Sequence, residues 1–375
     1  MKVLITGADG FVGRNLRQHL SERRDLVVVC VTRADPLQSL ADKLDGVSCI
    51  IHLAGVNRPQ DPAEFETGNH RLTEALVDAV RRKVSADGAQ VRLAYASSIQ
   101  AAFDNPYGAS KRAAEKVLLD AQSEGVLAAR VFRLPNVFGK WCKPNYNSAV
   151  ATFCNNIARD VPIVINDPQA PMRLVYVDDV VAALVSVIDG AEPALGADGF
   201  VVVSPEYHTS VGAVADTLHA FRASRDTLVT EPVGTGLTRA LYSTYVSYLP
   251  CDSFSYRVPM HGDARGTFVE MLKTQDSGQF SYFTAHPGVT RGGHYHHSKT
   301  EKFLVIKGKA LFKFRQMATG EEYALETSGD TAEIVETVPG WTHDITNIGE
   351  DEMMVMLWAN EIFDRERPDT YVCPL

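Results

Sequence analysis

The chain is poor in cysteine. Its six residues, Cys30, Cys49, Cys142, Cys154, Cys251 and Cys373, are scattered without Cys-x-x-Cys spacing. This argues against a disulfide framework and points to reduced, inert thiols of a cytoplasmic protein. No apolar stretch is long enough to span a bilayer. The opening Met1-Lys2-Val3-Leu4-Ile5-Thr6-Gly7 runs straight into a strand and a glycine turn, so no signal peptide is expected. Basic charge is in deficit: 37 Lys and Arg stand against 46 Asp and Glu, a net charge of -9. That argues against nucleic acid or an anionic membrane as partner. An anionic substrate would need a site that gathers basic groups locally. Internal repeats and low-complexity segments are missing too.

What is present fits two domains in 375 residues. Up to about residue 200, near-continuous apolar runs at Val3 to Thr6, Val27 to Val31, Cys49 to Leu53, Val91 to Ala96 and Ala128 to Arg133 read as strands buried on both faces. Amphipathic stretches such as Thr73 to Val84 and Ser110 to Ala121 lie between them, so the expected class is α/β, a doubly wound parallel sheet. A further helix is expected over Val211 to Ser224, capped by Thr209 or Ser210. After about Leu241 the texture changes, and from Asp263 short β runs alternate with Gly and Pro turns around a histidine cluster. This predicts an all-β barrel or jelly roll, with domains at 1–243 and 244–375 and a boundary within Leu241 to Pro250.

The first chemical signature is Thr6-Gly7-Ala8-Asp9-Gly10-Phe11-Val12-Gly13. A strand, a Gly-x-x-Gly-x-x-Gly turn and a helix from Phe11 present bare N–H groups to a pyrophosphate, so Gly7, Gly10, Phe11, Val12 and Gly13 are candidate cofactor contacts. Tyr107 and Lys111, four apart at a helix start, share one face, where the ammonium is expected to lower the phenol's pKa. The phenol then exchanges a proton with a sugar oxygen. Ser97 and Ser98 follow a strand at its C-terminal end and offer the hydroxyl that polarises a carbonyl. Tyr-x-x-x-Lys with a strand-end Ser resembles the extended short-chain dehydrogenase/reductases. So do His52-Leu53-Ala54-Gly55 and the stretch Arg173-Leu174-Val175-Tyr176-Val177-Asp178-Asp179. The resemblance favours Ser98 over Ser97, makes Ser98, Tyr107 and Lys111 the catalytic set, and adds Leu53, Ala54, Gly55 and Lys111 to the cofactor site. Where an NAD site carries an acid after the second strand, this chain has Val31-Thr32-Arg33. Arg33 suits a 2′-phosphate and predicts NADPH, with Asp35 keeping NADH as the alternative.

The second signature lies near the other end: Gly288, His294, His296, Glu301 and Gly308, spaced as in the first motif of the cupin superfamily, which it resembles. Alternation sends His294 and His296 to one face, and Glu301 returns on the next strand. A looser second motif, Pro339-Gly340-Trp341-Thr342-His343, supplies a fourth ligand. His294, His296, Glu301 and His343 suit a borderline divalent ion, Zn²⁺ first. Asp263-Ala264-Arg265-Gly266-Thr267-Phe268 and Gly288-Val289-Thr290-Arg291-Gly292-Gly293-His294 are also similar to the sugar-nucleotide 3,5-epimerases, although that family lacks ligands where His296 and Glu301 stand. Lys302 and Tyr295 are candidates for an epimerase base. Lys140, Lys143 and Arg173 are candidates for diphosphate contacts.

With both halves in view, nearly the whole chain resembles the bifunctional capsular-polysaccharide enzymes of the CapF family. The most specific stretches are His52 to Pro59, Ser97-Ser98-Ile99-Gln100-Ala101, Asp104 to Gly108 and Phe138 to Ser148. The resemblance implies a UDP-2-acetamido-2,6-dideoxy-hexos-4-ulose as substrate. The cupin half inverts carbon 3 and the reductase half reduces carbon 4 with NADPH, giving UDP-2-acetamido-2,6-dideoxy-L-talose for N-acetyl-L-fucosamine synthesis. A homodimer is expected. The chemistry sets the order, because the hydrogen on carbon 3 is acidic only while carbon 4 is a ketone. The alternative reading is a single-activity reductase whose barrel is a dimerisation or structural module.

Overall fold

The computed structural model describes residues 1–36, 39–87, 90–259, 261–263, 266–268, 271–274, 278–361, 364 and 366–375. Ala264 and Arg265 of the 263–268 motif therefore lie outside the described residues. The chain divides into two compact units, one of Met1–Ser148 with Met172–His208 and one of Ala149–Pro171 with Thr209–Leu375.

In the first unit β1 (Lys2–Thr6), β2 (Val27–Val31), β3 (Val47–His52), β4 (Val91–Ser98) and β5 (Leu127–Leu134) form a parallel sheet in the order β2-β1-β3-β4-β5. Helices connect them, as parallel pairing requires. The apolar runs are buried, with Val3, Leu4, Ile5, Ile50 and Ile51 fully inaccessible. The connections reverse direction between β1 and β3, and a doubly wound sheet opens its crevice at the carboxyl ends of such strands. Helix α1 (Phe11–Leu20) starts there, immediately after the β1 turn. The helix Pro106–Ser123 is begun by Asn105, whose side chain accepts the Gly108 N–H at 2.8 Å, with proline in its first turn. Ser97 and Ser98, expected just beyond β4, are its last two residues, because their pairing with Arg133 and Leu134 of β5 continues to the strand's end.

The second unit contains two five-stranded sheets. One runs Ser255–Arg257, Glu333–Glu336, Glu301–Lys307, Met353–Ala359, Gln279–Ala285; the other runs Glu322–Ser328, Lys309–Gln316, Trp341–Asn347, Thr290–Tyr295, Tyr371–Val372. All neighbours are antiparallel. The inner faces meet through aromatic rings: Phe303 of the first sheet lies 5.7 Å from Phe312 of the second, centroid to centroid. Helices Ala149–Ile157, Val211–Thr227 and Gly236–Val246 belong to this unit. Of the two expected caps for the second of these, Ser210 serves, accepting the Ala213 N–H at 3.2 Å. The helix Gly236–Val246 spans the boundary expected at 243/244, and its Ser243 hydroxyl donates to the Ser298 carbonyl at 2.6 Å while Tyr242 donates to Glu336 at 3.3 Å. The change of texture marks where helix gives way to strand, whereas packing places these helices with the sheets they cover. Among the described residues, no helix is long and apolar enough to cross a membrane.

Candidate functional site

A cavity of about 630 Å³ opens at the carboxyl ends of the parallel strands. Gly7, Gly10, Phe11, Val12, Gly13, Arg33, Leu53, Gly55, Ser98, Tyr107 and Lys111 all line it. The turn is backbone against backbone: a Cβ on Gly7, at φ +68°, would lie 2.6 Å from the Ala54 nitrogen, and one on Gly13 2.3 Å from the Gly7 oxygen. The first intrahelical bond joins the Arg14 N–H to the Gly10 carbonyl, so the first-turn N–H groups before it are available to an anion. Ala54 is the one expected cofactor residue that does not line the cavity. Its N–H donates to Thr6 Oγ1 at 3.2 Å behind the Gly7 turn, so it shapes the shelf on which that turn rests.

Arg14, Arg33, Lys111 and Lys143 stand on the cavity wall against one acid, Asp9, which is itself paired with Arg17 at 2.8 Å. An acidic chain thus concentrates basic groups where an anionic ligand would need them. Lys140 and Arg173 do not join them. Lys140 is fully buried with its ammonium 2.8 Å from Asp178, and Arg173 is held by Glu206, so neither is a diphosphate contact here. Asp35 is equally committed: Lys43 at 2.8 Å and the Thr32 N–H and hydroxyl hold its carboxyl down at about 2.

Ser97 and Ser98 have different hydrogen-bond partners, as the strand's alternation requires. Ser97 is buried and donates to Glu115 at 2.5 Å, and Glu115 in turn binds Arg133 at 2.7 Å. Both serines line the cavity, and Ser98 accepts the Gln100 N–H at 3.2 Å. Burial pushes the Tyr107 phenol up, while a hydrogen bond with Ser98 works in the opposite direction. The expectation that Lys111 depresses this phenol is not met, because the Lys111 ammonium is directed elsewhere, at the Ala96 carbonyl (2.8 Å) and Tyr95 hydroxyl (3.3 Å). Lys111 is itself perturbed, burial bringing it down to about 8 with Glu115 opposing. Its charge is therefore present below that value and lost above it. Reduction is expected to fall as pH rises through about 8, and Lys111→Arg, which stays charged, should remove that falling limb from a kcat/KM profile.

Asn69 is a member the sequence reading missed. From the π-helical turn Glu66–Arg71 it donates to the Val56 carbonyl (2.9 Å) and Ser110 hydroxyl (2.9 Å) and accepts the Val56 N–H (2.8 Å), fixing the loop after Gly55. An asparagine in a polar helix face carries no pattern that distinguishes it from a solvated one.

In the second unit, His294, His296, Glu301 and His343 bring one ligand atom each to within 4.8 Å of one another. His294 and His343 sit opposite each other on paired strands, and Glu301 enters from the facing sheet. His296 Nδ1 lies 2.5 Å from the Asp369 carbonyl, which can only accept, so that nitrogen carries the hydrogen. Its Nε2 then faces the Glu301 carboxylate at 3.1 Å, an arrangement that calls for a cation or a proton between two acceptors. Among the described residues neither ring nitrogen of buried His343 has a partner within 3.5 Å, and Nε2 lies 3.6 Å from the same carboxylate oxygen. Burial works to raise the Glu301 carboxyl, yet His296 and His343 outweigh it and hold it well below the ordinary range. Burial and the neighbouring His343 and His296 bring His294 down to about 4. Imidazole nitrogens beside a carboxylate are the donor set a borderline divalent ion takes, so these residues fit such an ion.

Neither expected base belongs to this cluster. Lys302 alternates to the opposite face, where it ion-pairs with buried Glu336 and donates to Tyr256 at 2.9 Å. Tyr295, between the two clustered histidines His294 and His296, likewise points away and stacks on Tyr371 at 5.6 Å. Among the described residues, Lys299 stands at the cluster, with its ammonium 3.6 Å from Glu301.

Residues 3–197 match the family described as "NAD dependent epimerase/dehydratase family", and residues 261–371 match "Polysaccharide biosynthesis C-terminal domain". The chain is 62% identical, over 100% of its length and 98% of the relative's, to the UDP-2-acetamido-2,6-beta-L-arabino-hexul-4-ose reductase of Pseudomonas aeruginosa. It is 40% identical, over the whole of both chains and with a TM-score of 0.68, to the crystal structure of the capsular polysaccharide assembling protein CapF from Staphylococcus aureus. The chain belongs to the CapF family. A UDP-glucuronic acid 4-epimerase from Bacillus cereus, solved with NAD, shares the fold of 58% of the chain and 82% of its own at 18% identity and a TM-score of 0.50. CapF membership unites the two halves: an epimerase/dehydratase-type unit, whose family brings a nicotinamide cofactor, and a C-terminal polysaccharide-biosynthesis barrel.

Proposed function

We propose that this member of the CapF family is a bifunctional nucleotide-sugar enzyme. The C-terminal part, from about residue 244, epimerises carbon 3 of a UDP-2-acetamido-2,6-dideoxy-hexos-4-ulose. The N-terminal part then reduces carbon 4 with NADPH to UDP-2-acetamido-2,6-dideoxy-L-talose. The observation that carries this reading is the cavity that gathers Ser98, Tyr107 and Lys111 in a chain 62% identical throughout to a reductase of such a ketose.

NADPH would supply the hydride to carbon 4. In the cavity, the Ser98 hydroxyl orients and polarises the ketone oxygen, and the Tyr107 phenol gives it a proton. Lys111, between the Gly55 shelf and the Ala96 carbonyl, holds its positive charge beside the place where a nicotinamide ribose would lie. With Asp35 engaged by Lys43, Arg33 is the group left to meet a 2′-phosphate. Arg33→Ala is expected to lower the NADPH-to-NADH ratio of kcat/KM by about 10- to 100-fold, the loss of one charged hydrogen bond of about 1.5–3 kcal/mol.

In the barrel, His294, His296, Glu301 and His343 would hold a divalent ion, Zn²⁺ first, which as a Lewis acid supplies stabilisation of negative charge on a ketone oxygen. Lys299 adds a second positive charge beside Glu301. Epimerisation precedes reduction because removal of the carbon 3 proton depends on the neighbouring ketone. The test is incubation with the 4-keto sugar in deuterated water without NADPH. Deuterium at carbon 3 is the expected result, and its absence would leave a reductase whose barrel serves as a dimerisation or structural module.

A further inference from the structure

Asp369 is far in sequence from the four clustered residues, yet it touches the segment that joins two of them. Its carboxylate accepts the backbone N–H groups of His297 (2.9 Å), Ser298 (2.9 Å) and Lys299 (2.7 Å), and the Ser298 hydroxyl (3.1 Å). Three successive N–H groups converging on one anion form a nest, and here the anion is part of the chain. Its carbonyl accepts the hydrogen of His296 Nδ1 at 2.5 Å. The backbone turns to reach both, with φ +39° at Asp369. A single residue thereby sets the tautomer and tilt of His296 and freezes the turn that delivers Glu301.

The residues after it extend the grip to the remaining two ligands. Val372 pairs with His294 across the strand, the Cys373 N–H donates to the Gly293 carbonyl at 2.7 Å, and Thr342, beside His343, donates to the Cys373 carbonyl at 2.5 Å. Lys299 donates to the Thr370 hydroxyl at 2.8 Å, which holds its ammonium near Glu301. All four ligands are thus braced from the segment 369–373.

We infer that Asp369 is a positioning residue of the metal centre, ordering the His296–Glu301 turn and the His296 ring before an ion arrives. The inference rests on the proposed divalent-ion site. A ligand set ordered in advance binds more tightly because less conformational freedom is lost on binding, and loss of an outer hydrogen-bond partner lowers metal affinity by about 10- to 100-fold.

The test uses the full chain and measures Zn²⁺ affinity by competition with a chromophoric chelator, together with the visible absorption of the Co²⁺-loaded protein. Asp369→Gly keeps the left-handed backbone and the carbonyl while removing the carboxylate; Asp369→Asn keeps one acceptor oxygen. Asp369→Gly is expected to weaken Zn²⁺ by about 10- to 100-fold and to shift the Co²⁺ bands, with Asp369→Asn recovering part of both. Wild-type affinity and bands in a folded Asp369→Gly, with only its thermal midpoint lowered, would reduce Asp369 to a fold element and overturn the inference. Should Asp369→Gly fail to fold, Asp369→Asn decides: weakened Zn²⁺ supports the role, and wild-type affinity overturns it. If the wild-type chain binds neither ion, the metal reading itself fails.

Discussion

Tyr107→Phe is expected to lower the rate of ketone reduction by about 10²- to 10⁴-fold while leaving cofactor affinity unchanged, the usual loss for one positioned proton donor. The phenol is half-buried in the cavity, and burial keeps it protonated at neutral pH, as a group that must donate has to be. Its hydroxyl is the only atom the substitution removes, so the packing of its ring 5.8 Å from Phe65 survives. Single-turnover oxidation of bound NADPH measures the step directly. Deuterium exchange at carbon 3 should continue at the wild-type rate, because the proposed epimerisation does not use Tyr107. A variant that reduced the ketone normally would place the proton donor elsewhere and remove the central residue of the reductase reading.

His294→Ala should produce the converse pattern. It is expected to lower bound zinc and to slow carbon 3 exchange by about 10³-fold, which corresponds to about 4 kcal/mol of lost stabilisation at the developing oxyanion. His294 is only partly buried, so its truncation disturbs packing less than that of His343, which is enclosed by Phe303 and Phe314. Reduction of a ketose already inverted at carbon 3 should be untouched. Elemental analysis and mass-resolved exchange check both halves of the statement. Exchange that persists without metal would move the chemistry from the ion to the side chains around it.

The fold was legible because its signals are short-range. Five apolar runs separated by helices can bury both faces only in a parallel sheet, and the observed strands follow those runs with ends shifted by a residue or two. The glycine turn, the Tyr107–Lys111 spacing and the His294–His296 alternation are local geometry as well. Partners were not legible. Lys302 stands next to Glu301 of the histidine cluster in sequence, but the pleat turns it to Glu336 on the opposite face. Lys140 lies in a loop of the kind that contacts phosphate, and is instead paired with Asp178 in the interior.

By itself the sequence determined the residue types and their phase: which side chains share a helix face or a strand face, and so which chemistry each half can carry. Tertiary structure decided which of two adjacent serines gives its hydroxyl to buried Glu115, that Lys140 and Arg173 are claimed by carboxylates, and that Asp369 reaches the turn between His296 and Glu301. The reason is physical. Phase along an element follows from a repeat of two or 3.6 residues, whereas the partner of a buried charge or of an exposed N–H group is chosen by whichever distant segment packing brings within about 3 Å.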